Sequence, residues 1–488
     1  PVYSQQTSDV LAAMLLPESA LPAYEKDIDH RKLISEVNNR VLEQGREVFQ
    51  QICHNCHGDI NLPGSIPNSL RFAEDEFQHG NDPYTMYQTI TRGWRLMAPQ
   101  TQLAPREKYA VIHYIRSHFL EKYNRSQLFD ITEDYLNRLP KGTSVGPDPV
   151  KYEPWKDMDY GSMLTACYEV VPLSNERHRW PEGEDTRGYV EPGSNFAYKG
   201  IAIRLDSGTG GVSQGNTWLI FEHDTLRVAG VWQGGEFVDW QGINFDHQHW
   251  FWPQTKGEIL YETEDEPGWA NPETGRFDDP RFLGLDGRRF GPLPRTWGHY
   301  RGLYRNGRRI VIAYTIGETT VLESHDLTQA GDILRILNIG KSDNELKLRL
   351  ANAGTDLGVL GGTGVRLADE DGFLTATIPA SSTPSKVAFI WGKGKSDLSS
   401  YNLDLSDLTK GGPAQWSQAI ASPVIRGTQE GPFQWDSYAI PRDNPWKSWL
   451  RTTGIDFSPD GRTAYLCTWD GDIWKVDGIA DESAPTVE

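Results

Sequence analysis

Five consecutive residues, Cys53-His54-Asn55-Cys56-His57, constrain this chain more than any other feature of its sequence. A Cys-x-x-Cys-His motif is the attachment signature of c-type haem. Two thiols three positions apart on one turn of helix can each bond a haem vinyl group, and the next residue then lies beneath the iron. The motif therefore predicts one covalently bound haem c, attached through Cys53 and Cys56, with His57 as the proximal iron ligand.

Two other uses of a close cysteine pair fit the sequence less well. A zinc knuckle needs a second Cys/His pair at similar spacing, but Cys167 and Cys467 are solitary and more than a hundred residues downstream. A thioredoxin-like dithiol follows a strand, whereas residues 38–49 carry the apolar periodicity of a helix. Within the motif, His54 is expected to face solvent rather than to bind a second group.

Met97 is the predicted sixth ligand of the iron. It lies in the loop Gly93–Pro99, forty residues after His57, and a methionine in a loop bounded by Gly and Pro can present its thioether to a metal. Met86 is the competitor. With Ile90 it falls on the apolar face of a predicted short helix, where methionine usually packs in the core.

Three further residues flank the Met97 loop and are expected to lie around the haem, namely Arg92, Trp94 and Arg95. They suit a docking patch for an acidic redox partner. They equally suit a structural role, in which the arginines pair with haem propionates and Trp94 packs on the ring edge. The sequence leaves both interpretations open.

Residues 38–122 resemble the class I cytochromes c. The resemblance rests on a helix with Gly45 and Phe49, the Cys53–His57 motif, the Leu62-Pro63 loop, the Met97-Ala98-Pro99 loop and a terminal helix over 105–120 with Tyr114. It implies an all-α domain with His/Met ligation, which raises the haem potential. It also implies that a carbonyl near Pro63 accepts the Nδ1 proton of His57 and so orients the imidazole.

The pattern changes near residue 150. A Pro/Gly-rich stretch at 140–154 predicts a linker, and beyond it short apolar runs separated by turns predict strands, with Asn306-Gly307 as a two-residue hairpin turn. We expect a multidomain chain, an all-α cytochrome c domain followed by a mainly-β region. Its predicted parts are an N-terminal extension (1–37), the cytochrome domain (38–125), a helix and linker (126–155), a β-sandwich-like domain (156–400) and a propeller-like segment (401–488).

The propeller-like segment shows its pattern over residues 454–476. These residues predict three strands joined by a Pro-Asp-Gly turn and an Asp-Gly-Asp turn, as in one blade of a β-propeller. A single blade cannot bury its faces alone. We therefore expect further blades, supplied by a continuation of the polypeptide or by a second chain.

A second resemblance covers residues 155–325. It rests on the runs 195–202, 291–294 and 300–304, which resemble an uncharacterised domain of large secreted cytochrome-c proteins of planctomycetes and related bacteria. In those proteins a blade such as 454–476 opens a propeller similar to quinoprotein or sugar dehydrogenases. The resemblance implies an exported location, and it raises a quinone or Ca²⁺ in further blades as additional cofactors.

A weak candidate for a second metal site is formed by His247 and His249. On a strand the two side chains would share a face, a spacing that suits Zn or Cu, and Glu222–Asp224 or His299 could complete the site. The simpler interpretation is that one histidine is buried and hydrogen-bonded while the other is exposed.

Two other groups of residues beyond the haem domain are open to more than one reading. Cys167 and Cys467 could form a disulfide, but their separation in space does not follow from the sequence. Several tryptophans suit either a sugar-stacking platform or the core: Trp232, Trp240, Trp250, Trp252 and Trp269. No pair of carboxylates stands out as a general acid and base.

Three functional hypotheses survive. The favoured one is a haem c electron relay of an exported redox system, docked by its β region to a dehydrogenase or terminal acceptor. The alternatives are a dehydrogenase that oxidises a sugar or alcohol in the β or propeller region, and a glycan-binding module that carries a cytochrome.

A formal charge of −19 argues against nucleic acid as a partner, and no stretch approaches the ~20 apolar residues of a membrane span. Because bacteria attach haem c outside the cytoplasm, we expect a periplasmic, secreted or cell-surface location.

Overall fold

The computed structural model describes residues 23–66, 69–95, 97–149, 153–172, 195–246, 252–284, 287–392, 398, 401–427, 436–441, 443–481 and 486–487. Two compact units are present: residues 23–149 belong to the first, and the described residues of 153–245 and 252–487 belong to the second. The first is helical and the second is built from antiparallel sheets, which confirms the predicted order of a helical region followed by a mainly-β region. No helix in the described ranges is both long and apolar enough to span a bilayer.

The helical unit contains seven short α-helices in its described part. They are α1 (His30–Ser35), α2 (Asn39–Val48), α3 (His54–His57), α4 (Pro83–Arg92), α5 (Pro105–Tyr114), α6 (Glu121–Tyr123) and α7 (Glu133–Arg138). Wide π-helical turns, Phe49–Cys53 and Ile115–Leu120, follow α2 and α5, and single 3-10 turns lie at Ala23–Asp27 and Arg125–Gln127. Helices α1, α2 and α4 begin at side-chain caps, as the preference of Asn and Asp for the N-cap position predicts.

Helices α2 and α5 cross at Gly45. A Cβ atom at this position would lie 2.0 Å from the carbonyl oxygen of Ala110 and 2.9 Å from Cβ of Tyr114, so only glycine permits this crossing. One turn later Phe49 packs against Tyr114, with ring centroids 5.4 Å apart. The crossing brings the end of α2, and with it the Cys53–His57 motif, against the core of the unit.

The β unit begins with helix α8 (Pro154–Asp157), carries 3-10 turns at Val212–Gln214 and Ser406–Lys410, and is otherwise built from strands. The strands are β1 (Met163–Val170), β2 (Asn195–Arg204), β3 (Thr217–Glu222), β4 (Arg227–Val238), β5 (Thr255–Glu262), β6 (Phe282–Leu283), β7 (Arg289–Phe290), β8 (Gly298–Asn306), β9 (Arg309–Ile316), β10 (Thr319–Leu327), β11 (Ile333–Ile339), β12 (Leu346–Asn352), β13 (Gly358–Gly361), β14 (Arg366–Glu370), β15 (Phe373–Ile378), β16 (Ser385–Trp391), β17 (Ser422–Ile425), β18 (Ser437–Tyr438), β19 (Thr452–Phe457), β20 (Thr463–Thr468), β21 (Ile473–Asp477) and β22 (Thr486–Val487).

Three of the sheets share the main core of this unit. They are a five-stranded sheet in the order β1-β2-β3-β4-β5, a six-stranded sheet in the order β13-β16-β11-β10-β9-β8 and a three-stranded sheet in the order β12-β15-β14. Alternate residues of each sheet point into one apolar cluster that includes Leu219, Ile312 and Leu348. The opposite face of the five-stranded sheet packs Trp218 and Trp232 into a second cluster, so this sheet is buried on both sides.

The predicted three-strand pattern at the end of the chain is present as the sheet β19-β20-β21. Its two turns place Gly461 at φ +69° and Gly471 at φ +92°, a region that favours glycine. Within the described ranges the sheets form no closed barrel and no propeller. The pattern thus predicted the local hairpins correctly, and the larger propeller stays a prediction.

Candidate functional site

The Cys53–His57 motif spans the end of a wide turn and the start of helix α3. Cys53 closes the turn Phe49–Cys53, and Cys56 and His57 lie on α3. Both cysteines are free, half-buried thiols. Burial, together with the neighbouring Cys56, raises the pKa of the Cys53 thiol to about 12. Cys53 is therefore a neutral thiol at physiological pH, packed at the edge of the helical core.

His57 is held in one orientation by the chain around it. Its Nδ1 donates a hydrogen bond to the carbonyl oxygen of Leu70 at 2.8 Å, and its ring stacks on Phe72 with centroids 4.8 Å apart. Burial lowers the pKa of His57, an effect that the Leu70 hydrogen bond partly opposes. The imidazole is therefore neutral at pH 7, and Nε2 has no hydrogen-bond partner among the described residues.

The prediction that a carbonyl of the Leu62-Pro63 region accepts the Nδ1 proton is wrong. The Leu62 carbonyl already accepts the N–H of Asp59 at 2.7 Å, and Leu62 N–H donates back to Asp59. This closed turn lies against Gly58, where a Cβ atom would be 1.9 Å from the Leu62 oxygen. Pro63 follows the turn and is exposed, so the Leu62 carbonyl is used within the loop and Leu70 supplies the acceptor.

His54 is also placed differently from the prediction. It was expected to face solvent, but it is 7% exposed and packs edge-on against Phe49, with ring centroids 6.4 Å apart. A π-helical turn holds one residue more than an α-helical turn, so it rotates the residues after it relative to a continuous helix. The turn Phe49–Cys53 precedes His54 directly and accounts for its inward position.

The two candidate methionines occupy different environments. Met86 lies on α4 and is buried in the core, which confirms its predicted packing role. Met97 is half-buried in a loop, where two backbone hydrogen bonds of 2.9 Å pair it with Trp94. Gly93 turns the chain into this loop at φ +78°. The loop thus leaves the Met97 thioether outside any helix, and its bond to iron stays a prediction.

The residues beside the Met97 loop form an exposed aromatic and cationic group. Trp94 is 40% exposed and stacks on His79 with centroids 3.8 Å apart. Arg95 lies over the Trp94 ring at 6.0 Å and donates to Gln78 at 3.2 Å. Arg92 is exposed at the end of α4. The structure places all three predicted residues on one segment. It does not distinguish a docking patch for a redox partner from a structural role around the haem.

The donor set of this unit fits haem c. Cys53 and Cys56 offer two free thiols at the required spacing, and His57 offers a neutral, oriented imidazole whose Nε2 is free to bind iron. When bound, haem supplies a one-electron couple whose potential depends on its axial ligands. The sequence did not reveal the roles of Leu70 and Phe72. Each lies thirteen or more residues after His57, and neither a main-chain acceptor nor a ring contact at that distance leaves a recognisable motif.

The candidate second metal site lies largely outside the described residues, since it includes His247 and His249. Its proposed companions are engaged elsewhere. Glu222 is buried in an ion pair with Arg227 at 2.8 Å, and His223 pairs with Asp224. Within the described ranges no three His, Cys, Asp or Glu residues cluster as a metal site, so this site remains untested.

The remaining sequence candidates divide between core and surface. Trp232, Trp240 and Trp269 are buried, which confirms the core interpretation for them; Trp252 is half-buried and Trp250 lies outside the described residues. Cys167 and Cys467 are both free thiols. The Cys167 thiol donates to the carbonyl oxygen of Tyr198 at 2.8 Å.

Two family models match parts of the chain. The model of cytochrome c oxidase, cbb3-type, subunit III matches residues 40–115, a range that includes α2, the Cys53–His57 motif, the Met97 loop and α5. The model of a domain of unknown function (DUF6797) matches residues 219–323, within the β unit. A search of curated proteins found no match. The helical unit therefore contains a c-type cytochrome domain, and haem c is the cofactor that this domain implies.

Proposed function

We propose that this chain is a haem c electron-transfer protein that works as a one-electron relay in an exported redox system. One observation carries the proposal: His57 follows the two thiols directly and donates Nδ1–H to Leu70, so that its Nε2 is free for iron. The match of residues 40–115 to a cytochrome family supports the same reading. The chain's contribution is to attach the haem, orient its ligand and limit its contact with water.

Met97 is the proposed sixth ligand. Its loop is closed by the paired hydrogen bonds to Trp94, which fix the backbone of Met97, and its side chain packs against the helical core. Thioether ligation opposite a histidine raises the potential of a haem. The relay would therefore accept electrons from a donor of lower potential.

The exposed group of Trp94, Arg92 and Arg95 is the proposed docking patch for an acidic redox partner, a dehydrogenase or a terminal acceptor. Trp94 presents apolar surface and the arginines add positive charge in a chain whose formal net charge is −19. Local charge of this kind raises the rate of association with a partner more than it raises the affinity of the complex. The β unit is proposed to hold the assembly together, in the periplasm or at the cell surface.

An optical spectrum of the purified full-length protein tests the proposal. We expect one haem per chain by pyridine haemochrome assay and a reversible one-electron couple. In the oxidised protein, a panel of sugars and alcohols should leave the haem bands unchanged until dithionite is added. Substrate-driven reduction would instead identify a dehydrogenase that uses its own haem as acceptor, and absence of covalent haem would contradict the proposal altogether.

A further inference from the structure

A cavity of 1510 Å³ lies in the β unit, between one face of the sheet β19-β20-β21 and the segments that precede it. We refer to it as the Trp474 cavity. Its lining comes from parts of the chain far apart in sequence, and the residues that carry the argument are Tyr160, Trp416, Trp446, Ser448, Asp472 and Trp474. It is larger than the roughly 300–1,000 Å³ typical of a pocket for one small molecule. It therefore has room for a ligand of several rings.

The walls of the Trp474 cavity present aromatic faces. Trp446 and Trp474 meet at 69° with ring centroids 5.4 Å apart, and each is half-buried. Trp416 is exposed and carries the guanidinium of Arg305 over its ring at 5.1 Å. Indole faces offer large, rigid apolar area that still tolerates polar groups at its margin.

One corner of the cavity is polar and only partly satisfied. Asp472 accepts a hydrogen bond from the Ser448 hydroxyl at 3.0 Å. Burial and neighbouring Asp470 raise the pKa of Asp472, although Ser448 opposes this. The Tyr160 hydroxyl is buried and has no hydrogen-bond partner among the described residues, and the Tyr160 side chain as a whole is 7% exposed. The Tyr160 hydroxyl is sealed from the cavity, whereas the Asp472 carboxylate keeps acceptor capacity for a ligand that donates hydrogen bonds.

The charges around the cavity narrow the class of ligand. Its lining contains four aspartates but only one arginine and one lysine. Asp470 is neutralised by an ion pair with Arg451, and Asp477 pairs with Lys475 at 2.5 Å. Asp472 has no cationic partner in the described part of the chain. This excess of carboxylate disfavours phosphates, sulfates and uronates, and it favours ligands that donate hydrogen bonds without carrying negative charge.

We propose that the Trp474 cavity binds a neutral oligosaccharide, with sugar rings stacked on the indoles of Trp446 and Trp474 and hydroxyl groups donating to Asp472. A pyranose has apolar C–H faces and a rim of hydroxyl donors, which matches walls of aromatic surface beside an acceptor carboxylate. Besides Trp474, five apolar side chains that the same face of the sheet turns toward the cavity supply the remaining contact surface. The proposal rests on this cavity alone and is independent of the relay function.

Calorimetric titration of the full-length, haem-loaded protein tests the proposal. The probes are cellohexaose, xylohexaose and mannohexaose, with hexagalacturonate as the charged counterpart. We expect at least one neutral hexasaccharide to bind saturably and more tightly than the hexauronate. Trp474→Ala and Asp472→Asn should each weaken that binding tenfold or more, and the second variant keeps the shape of the side chain.

Matched controls lie on the opposite face of the same sheet. Tyr465→Ala and Asp456→Asn change exposed residues outside the cavity lining and should bind sugar as the parent protein does. Unchanged circular dichroism and haem bands check that every variant is folded. Failure of all three neutral probes to bind, or equal binding by both cavity variants, would overturn the proposal. So would a dimer, seen by sedimentation, that Trp474→Ala abolishes, because this face would then be covered by a second copy.

Discussion

Replacing Lys108 by methionine would leave the Glu25 carboxylate buried without its cation. The Lys108 ammonium lies 2.8 Å from Glu25, and the two side chains are 2% and 4% exposed. Lys108 also donates to the Thr91 hydroxyl at 3.1 Å, and the Tyr87 hydroxyl donates to the second oxygen of Glu25. Methionine keeps most of the apolar stem, so the substitution removes the charge with little change in packing.

The expected loss is about 3–5 kcal/mol in the free energy of unfolding of the helical unit, because breaking a buried pair strands the other charge. Adding Glu25→Gln should recover most of that loss, since the double variant buries no charge.

Urea unfolding of the full-length protein, followed at the haem Soret band, measures this stability. We expect a loss of about 3–5 kcal/mol for Lys108→Met and a much smaller loss for the double variant. Lys32→Met, at an exposed position, serves as control and should change the stability by less than about 0.5 kcal/mol. A cost under about 1 kcal/mol for Lys108→Met, or no recovery of stability on adding Glu25→Gln, would contradict the stranded-charge explanation.

Three further predictions follow from the described contacts. Met97→Ala should lower the haem potential by on the order of 100 mV, within the roughly 0.8 V range that axial ligands control. Met86→Ala should instead cost about 2–5 kcal/mol of stability and leave the potential unchanged. Protein-film voltammetry measures the potential, and urea unfolding measures the stability. Gly45→Val should cost about 3 kcal/mol or more, because its Cβ would meet the backbone of α5; an unaltered unfolding midpoint would contradict this crossing. Burial alone would raise the pKa of Glu323, but Arg335 and two hydrogen bonds hold this pKa at about 2. The β unit should therefore lose stability as the pH falls from about 4.5 toward 2. Tryptophan fluorescence would follow this loss.

Strands could be predicted wherever a short run of apolar residues is bounded by turns. The strands from β2 to β4 and from β14 to β16 follow apolar runs bounded by turns, and Gly307 at φ +59° completes the predicted hairpin. Strand β10 follows no such apolar run, because it places Glu323 and His325 in the core. The charge of Glu323 is balanced there by Arg335 on the neighbouring strand, and such pairing depends on register, which no local pattern shows.

The cytochrome site was predictable to the extent that its chemistry lies in contiguous residues. Cys53, Cys56 and His57 lie within five consecutive positions of one segment, so the spacing alone defines their relation. The acceptor for the His57 ring was not predictable, because Leu70 contributes only a carbonyl group. The position of His54 depended on a one-residue widening of the helix before it, and helical periodicity assumes that no such insertion occurs.

The β unit shows the opposite situation, in which a site has no local signature at all. The Trp474 cavity joins Tyr160, Trp416, Ser448 and Asp472, the first and last of which are more than three hundred residues apart. Each alone reads as an ordinary core or surface residue, and tryptophan is usually buried for packing. What distinguishes them is that the described fold leaves a carboxylate with a single hydroxyl donor beside indoles that are only partly covered. Such incomplete satisfaction is a property of the assembled sheets, and it is there that a ligand of the β unit should be sought.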